Sequence, residues 1–469
     1  MSTPEASKAS EASFGSGARV LAVGIASTGI FTFAYLATAS HVLSPSQYSE
    51  VSLVWAVMFV ILSVIYRPID QLLARTIADG LARGRGGHPL WIPAILQATF
   101  AAIFFTVALV LHGPIQRSLG GSAVLYWVLV IGVLAYAGSY FARGWLAGHE
   151  AFALYGALVF LEAFSRYAFA LAAALGIERG LGTVALGMAV APFVSLAVIP
   201  FALPRMHRQL TASAAEPEVA AALRAEAAAA DTGGDTLAGG ELTLREGTGF
   251  ATSLLAIMLS EQALMNAGVL IVAASLGANS LSTGLTGFVF DVMLIVRAPL
   301  QLFQAVQTSI LPHLTGLEAR ERGDAFRRAV RITVLASGGF GIAVALGLLA
   351  VGPPVMAAVL GHKGFHYERI GLAVVGLGMG FHLVAGTYNQ AQLARGQAGR
   401  SALCWVVSAG LFVAFQLVDV LGSRIARVEY GYCGATLLLC LLQVAVDQIP
   451  PRPARPARQS APAASASAA

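Results

Sequence analysis

Twelve apolar runs, each about long enough to cross a bilayer, dominate this chain of 469 residues. They cover 18–40, 49–74, 90–111, 123–142, 152–175, 181–203, 248–275, 282–308, 328–351, 367–391, 401–419 and 429–448. A spanning helix needs roughly 20 mostly apolar residues. Only 11% of residues are charged and 57% are hydrophobic, whereas an average soluble domain is about 25% charged. Inside hydrocarbon a backbone must satisfy its own polar groups, which leaves helices or closed barrels. Runs of this length are helical, so the sequence implies an all-α polytopic membrane protein. Many of the runs are rich in Gly, Ala, Ser and Thr, which lets helices approach closely.

Basic residues set the orientation, because Lys and Arg collect in cytoplasmic loops. With the N-terminus inside, 20 of the 29 Lys and Arg residues fall in cytoplasmic segments and 6 outside. The other three, Arg67, Arg166 and Arg297, lie at membrane depth. Both termini are therefore expected in the cytoplasm of a bacterial cell, with the chain in its plasma membrane. The net charge of +5 follows from this bias and needs no nucleic acid. Residues 1–17 read as a disordered cytoplasmic lead, 204–247 as a flexible cytoplasmic linker, and 449–469 as a disordered basic tail. The linker stretch "AAEPEVAAALRAEAAAADTGGDTLAGGELT" has little to bury. It leaves six runs on each side: 18–203 as a first lobe, 248–448 as a second. The first run ends in "ATAS", like a leader cleavage site, but it is too long for a leader and has few positive charges before it. Cys404, Cys433 and Cys440 lie in apolar runs with no metal-site spacing, and no disulfide is expected.

The two halves echo each other. "VIYRPIDQLLART" (64–76) ends the second run of the first half; "LIVRAPLQLFQAV" (294–306) lies in the second run of the second half. Each carries an Arg, a Pro one or two residues on, and Gln-Leu four and five residues on. "ARGWLAG" (142–148) follows the fourth run and "ARGQAG" (394–399) the tenth. Matched echoes on the same side, six helices apart, imply a parallel repeat about an axis along the membrane normal. Two such six-helix lobes form a central cavity with alternating access.

Three further stretches carry a family resemblance: "LSPSQYSEVSLVWAVMFVI" (43–61), "YFARGWLAGHEAFALYGALVFLEA" (140–163) and "LFQAVQTSILPHLTGLEARERGD" (302–324). Over about residues 18–448 the chain resembles the multidrug/oligosaccharidyl-lipid/polysaccharide exporter superfamily, and within it the polysaccharide flippases. It departs mildly at His313, where a basic residue follows the Pro of the third stretch. The resemblance implies two lobes that move a polyprenyl-diphosphate-linked glycan across the membrane. Cationic cavity residues would hold the diphosphate; here that role falls to Arg67 and Arg297.

Seven ionisable residues stand at membrane depth: Arg67, Asp70, Glu162, Arg166, Glu261, Asp291 and Arg297. Burying each costs about 2.5–3.5 kcal/mol on insertion scales, so each is expected to face the bundle interior or a wet cavity. Arg67 and Arg297 suit a diphosphate, since a guanidinium binds two oxygens at once. Gln71, Gln301 and Gln304 would extend a substrate-binding stripe at helical spacing. Arg67 could instead pair with Asp70, or reach toward the interface. Glu162 and Arg166, four apart, read as a structural ion pair. Glu261 and Asp291 are candidates for ion coupling. His362 and His366 have a metal-like spacing but fall in an outer loop with Gly364 between, so no metal is expected.

No phosphate-cradling Gly loop, nucleophile elbow or zinc motif is present. The expectation is a transporter rather than an enzyme, without cofactor: a flippase for lipid-linked oligosaccharide or polysaccharide precursors. Its partners would be the anionic lipid-linked glycan, membrane lipids and glycan-assembly enzymes. The alternative is a cation-coupled multidrug antiporter of the same superfamily. A membrane glycosyltransferase is a third reading, opposed by short outer loops nearly free of acids.

Overall fold

The computed structural model describes residues 23–24, 26–82, 90–178, 180–202, 244–277, 281, 283–297, 299–300, 323–361 and 364–448. Every regular element among them is helical. The first lobe holds α1 (26–42), α2 (Pro45–Ile61), α3 (Arg67–Ala82), α4 (Trp91–Val110), α5 (His112–Ser118), α6 (Ala123–Gly148), α7 (Phe152–Ala174) and α8 (Leu181–Ser195). The second holds α9 (Leu244–Leu276), α10 (285–297), α11 (Gly323–Leu360), α12 (Arg369–Ala394), α13 (Ala398–Leu417) and α14 (Arg424–Asp447). Ten spans among the described residues are long and apolar enough to cross a membrane. The expected runs 18–40 and 282–308 are described in part, as α1 and α10. The linker expected over 204–247 lies almost wholly outside the described residues, up to the start of α9 at Leu244.

Helix α2 starts on a capping box. Ser44 accepts from the Gln47 N–H at 3.3 Å, and the Ser44 N–H donates to the Gln47 side chain at 3.1 Å. Pro45 sits where a helix has no backbone donor to lose. Between α2 and α3 runs a single π turn, Leu62–Tyr66, in which the Arg67 N–H reaches back to the Leu62 carbonyl. Pro68 follows at once. Its ring would clash with a carbonyl one turn back in a regular helix, and the wider turn relieves that crowding. The π turn thus sets the direction in which Arg67 leaves the helix.

Helix pairs recur between the lobes. α6 packs on α4 and α8, and α7 on α8; α12 packs on α11 and α14, and α13 on α14. α1 meets α7 through Phe31 against Phe160 and Phe164, as α9 meets α13. Glycines close some of these crossings. A Cβ on Gly24 would lie 2.7 Å from the Gly156 Cα, and one on Gly341 would lie 2.3 Å from the Gly380 Cα. α4 and α11, corresponding helices, expose apolar faces such as Ile103, Val107, Leu335 and Leu346, as lipid-facing helices do. The described helices thus form two lobes related by a parallel repeat.

The second echo has diverged. The expectation that "ARGWLAG" follows its helix is corrected: α6 continues to Gly148. Gly144 and Gly148 press on α3, where a Gly144 Cβ would sit 2.5 Å from the Asp70 carbonyl oxygen. The hydropathy falls at Arg143, but close packing on α3 carries the helix past it. "ARGQAG" does end its helix, with Gly396 at φ +69. There Arg395 leaves α12, pairs with Asp447 at 2.5 Å and covers the Phe326 ring.

Candidate functional site

A cavity of about 260 Å³ opens between the lobes. Helices α1, α2, α3, α6 and α7 line it from the first lobe, α9 and α10 from the second. Its charged wall consists of Arg67, Asp70, Arg143, Glu162, Arg166 and Arg297. Four arginines against two carboxylates leave the wall positive. Aromatic rings, Phe33, Phe59, Tyr136 and Tyr155 among them, form much of the rest.

Arg297 enters from α10 and is 7% exposed. It donates to the Asn266 side-chain oxygen at 2.7 Å and to the Met265 carbonyl at 3.2 Å, and lies over the Phe290 ring at 4.3 Å. The Asn266 amide nitrogen donates to Gln262, at 3.1 Å to its side chain and 3.2 Å to its carbonyl. That turns the Asn266 oxygen toward Arg297. All these partners are neutral, so they orient the cation without cancelling it. Arg67, half-buried on α3, makes no ion pair or hydrogen bond among the described residues. Arg67 and Asp70 make no direct ion pair, but their charges lie within electrostatic reach of each other. Arg67 and Arg297 thus bring two cations to one cavity from different lobes: Arg297 has only neutral partners among the described residues, whereas Arg67 lies within electrostatic reach of Asp70 and Glu261.

Glu162 and Arg166 meet at 3.2 Å. They are not a simple pair, because Arg143 from α6 also donates to Glu162, and Ser139 does so at 3.1 Å. Arg166 further donates to the Tyr136 hydroxyl at 2.7 Å. From the Lys and Arg bias Arg143 is expected in a cytoplasmic segment. It is instead a cavity residue.

The remaining candidates lie elsewhere. Gln71 is exposed and outside the cavity wall, about one turn beyond Arg67 along α3. Gln301 and Gln304 lie outside the described residues. Glu261, half-buried on α9, is beside the cavity residue Gln262 but not in the wall. Asp291 is fully buried away from the cavity. It accepts from Tyr48 at 2.5 Å and from Tyr367 at 3.4 Å.

That last cluster joins the lobes. Tyr48 stands at the start of α2, Asp291 on α10, and Tyr367 just before α12. Beside it the Gly287 N–H donates to the Ser49 hydroxyl at 2.9 Å, and Phe288 stacks on Tyr367 at 4.6 Å. A Cβ at Gly287 would lie 2.8 Å from the Tyr48 ring, so glycine permits the approach. The lobes are latched at the end where α2 begins, while the charged cavity reaches Asp70 and Tyr155 toward the other end.

His366 is described and His362 is not; no group of three or more metal-ligating side chains occurs among the described residues. The three cysteines are free thiols.

With this geometry in view, the chain aligns over its length with solved MATE transporters. An inward-facing multidrug resistance MATE family transporter of the MOP superfamily matches with TM-score 0.64 and 12% identity, over 89% of this chain and 93% of that one. An outward-facing conformation gives TM-score 0.60 and 14% identity, over 92% and 94%. The Vibrio cholerae MATE transporter VcmN in its bent form gives 0.56 and 14%, over 93% and 97%. The fold is that of a MATE transporter. At these identities the likeness is one of fold. No protein-family profile and no curated protein matches the sequence.

Proposed function

We propose that the chain is an alternating-access transporter of the plasma membrane whose cavity receives an anionic headgroup. The substrate we favour is a polyprenyl-diphosphate-linked oligosaccharide or polysaccharide precursor, flipped for assembly of cell-surface glycan. The observation that carries this reading is the pair Arg67 and Arg297. Arg297 is a buried cation with only neutral partners among the described residues, which is costly in a membrane; Arg67 is half-buried in the same cavity wall, and a diphosphate bridging the lobes would engage both. Arginine suits that task through its planar fork of donors. The Lys and Arg bias orients the cavity toward the cytoplasm and the Tyr48–Asp291 latch outward. That is the state which would admit a precursor made inside. Glu261 and Asp291 remain our candidates for ion coupling.

A second reading, a cation-coupled multidrug antiporter, is favoured by the multidrug resistance transporters among the structural neighbours. Its cargo would need an available carboxylate. Glu162 is already engaged by two arginines, which leaves Asp70 as the cavity carboxylate such a cargo would meet, in a wall whose four arginines oppose a cation.

The test is the double variant Arg67→Ala/Arg297→Ala, expressed at wild-type level in cells depleted of the native protein. The flippase reading expects lipid-linked glycan to accumulate on the cytoplasmic leaflet both on depletion and with the variant. Normal glycan distribution on depletion would turn the assignment toward the antiporter.

A further inference from the structure

Glu162, Arg143 and Arg166 do more than a helix staple requires. All three side chains line the cavity; within the trio two positive charges stand against one negative, and Asp70 of the same wall lies within electrostatic reach of Arg143. Each guanidinium is also held without the carboxylate. Arg143 lies over the Tyr140 ring at 4.5 Å, and Arg166 over the Trp55 ring at 4.8 Å. Arg166 has in addition the Tyr136 hydroxyl as acceptor. Aromatic faces attract cations most where water is excluded, so the rings and the hydroxyl keep both forks in place. Arg166 is 2% exposed, and the Nε atoms of Arg143 and Arg166 are buried without a partner. The donors of this pair exceed what Glu162 and its neighbours accept.

From this geometry we infer that Arg143 and Arg166 form an oxyanion subsite in the first-lobe wall of the cavity, and that Glu162 is the internal anion occupying it when no ligand is bound. The ligand class is a phosphate or diphosphate ester, whose oxygens match paired guanidinium donors. A dianionic group brings two charges where Glu162 brings one. On entry it displaces the carboxylate, which is tethered by a flexible side chain and moves aside without unfolding α7. The subsite deepens the anionic-substrate reading, on which it rests for its place in transport. In that reading it shares the cavity with Arg297 and would take part of the headgroup charge, with Glu162 setting a threshold that weakly charged lipids do not pass.

The experiment uses the purified full-length protein and inorganic pyrophosphate as probe, followed by calorimetry and thermal melting. Glu162→Gln removes the competing anion and leaves two buried cations unbalanced. It is expected to melt below wild type, to be restored by pyrophosphate, and to bind it at least tenfold more tightly than wild type. Adding Arg143→Gln abolishes that restoration. Should Glu162→Gln not fold, Ser139→Ala frees one bond to the carboxylate. It is then expected to raise pyrophosphate affinity by roughly tenfold or more, the worth of one hydrogen bond to a charged group. Unchanged affinity in a folded Glu162→Gln protein, or in Ser139→Ala if that is the folded variant, overturns the subsite. Tighter binding together with normal glycan distribution in depleted cells would keep the subsite and overturn the flippase reading instead.

Discussion

Arg297 owes its orientation to one amide. The Asn266 oxygen takes its shorter hydrogen bond, and Gln262 fixes which way that amide points. Asn266→Ala leaves Arg297 with the Met265 carbonyl and loosens its aim into the cavity. A hydrogen bond to a charged group contributes about 1.5–3 kcal/mol, so substrate affinity should fall by roughly ten- to hundredfold, measured by titration with a short prenyl diphosphate. Asn266→Asp should do more, because a carboxylate would neutralise the cation instead of orienting it. Gly144 acts at the same scale through size. Its absent Cβ lets α6 touch the Asp70 backbone. Gly144→Ala forces the helices apart and should cost about 1–3 kcal/mol, seen as a lower melting temperature. An unchanged melting temperature would show that the crossing has room.

At the scale of elements, the latch joins α2 to α10 and to the segment before α12. Ser49 is fully buried beneath it. In a background with the three native cysteines replaced by serine, Ser49→Cys should react slowly with a membrane-impermeant maleimide added outside. Tyr48→Phe removes the 2.5 Å bond to Asp291 and should speed that labelling severalfold. Equal rates would mean that this bond does not hold the lobes closed. The latch was not legible in the sequence. A tyrosine near a helix end reads as an interface anchor, and nothing local joins Tyr48 to an aspartate 243 residues away. Arg143 was missed for a related reason. The apolar run stops at 142, yet the helix goes on because glycines press it on α3 and Glu162 on α7 receives the charge. Gln262 and Asn266 are spaced one turn apart on an apolar helix and could have been read as a polar stripe, as the glutamines after Arg297 were.

Across the whole molecule, the all-helical spans, two lobes and parallel repeat were legible because bilayer thickness and backbone satisfaction leave so few solutions; ten of the twelve expected runs are candidate spans among the described residues. Hydropathy carries that information directly. The identity of the cargo is carried by tertiary contacts, which hydropathy does not encode. The paired arginines were visible as an echo, but that both reach one cavity, and that Arg297 has only neutral partners among the described residues, appears only in the fold. The central claim, an anionic cargo gripped from both lobes, is tested most directly in proteoliposomes holding the purified protein. The assay compares flipping of a fluorescent short-chain prenyl-diphosphate sugar with transport of a lipophilic cation such as ethidium. A flippase of this kind flips the diphosphate lipid, loses that activity in Arg67→Ala/Arg297→Ala, and does not transport ethidium. Ethidium transport by the wild type, with the diphosphate lipid left unflipped, would contradict the claim.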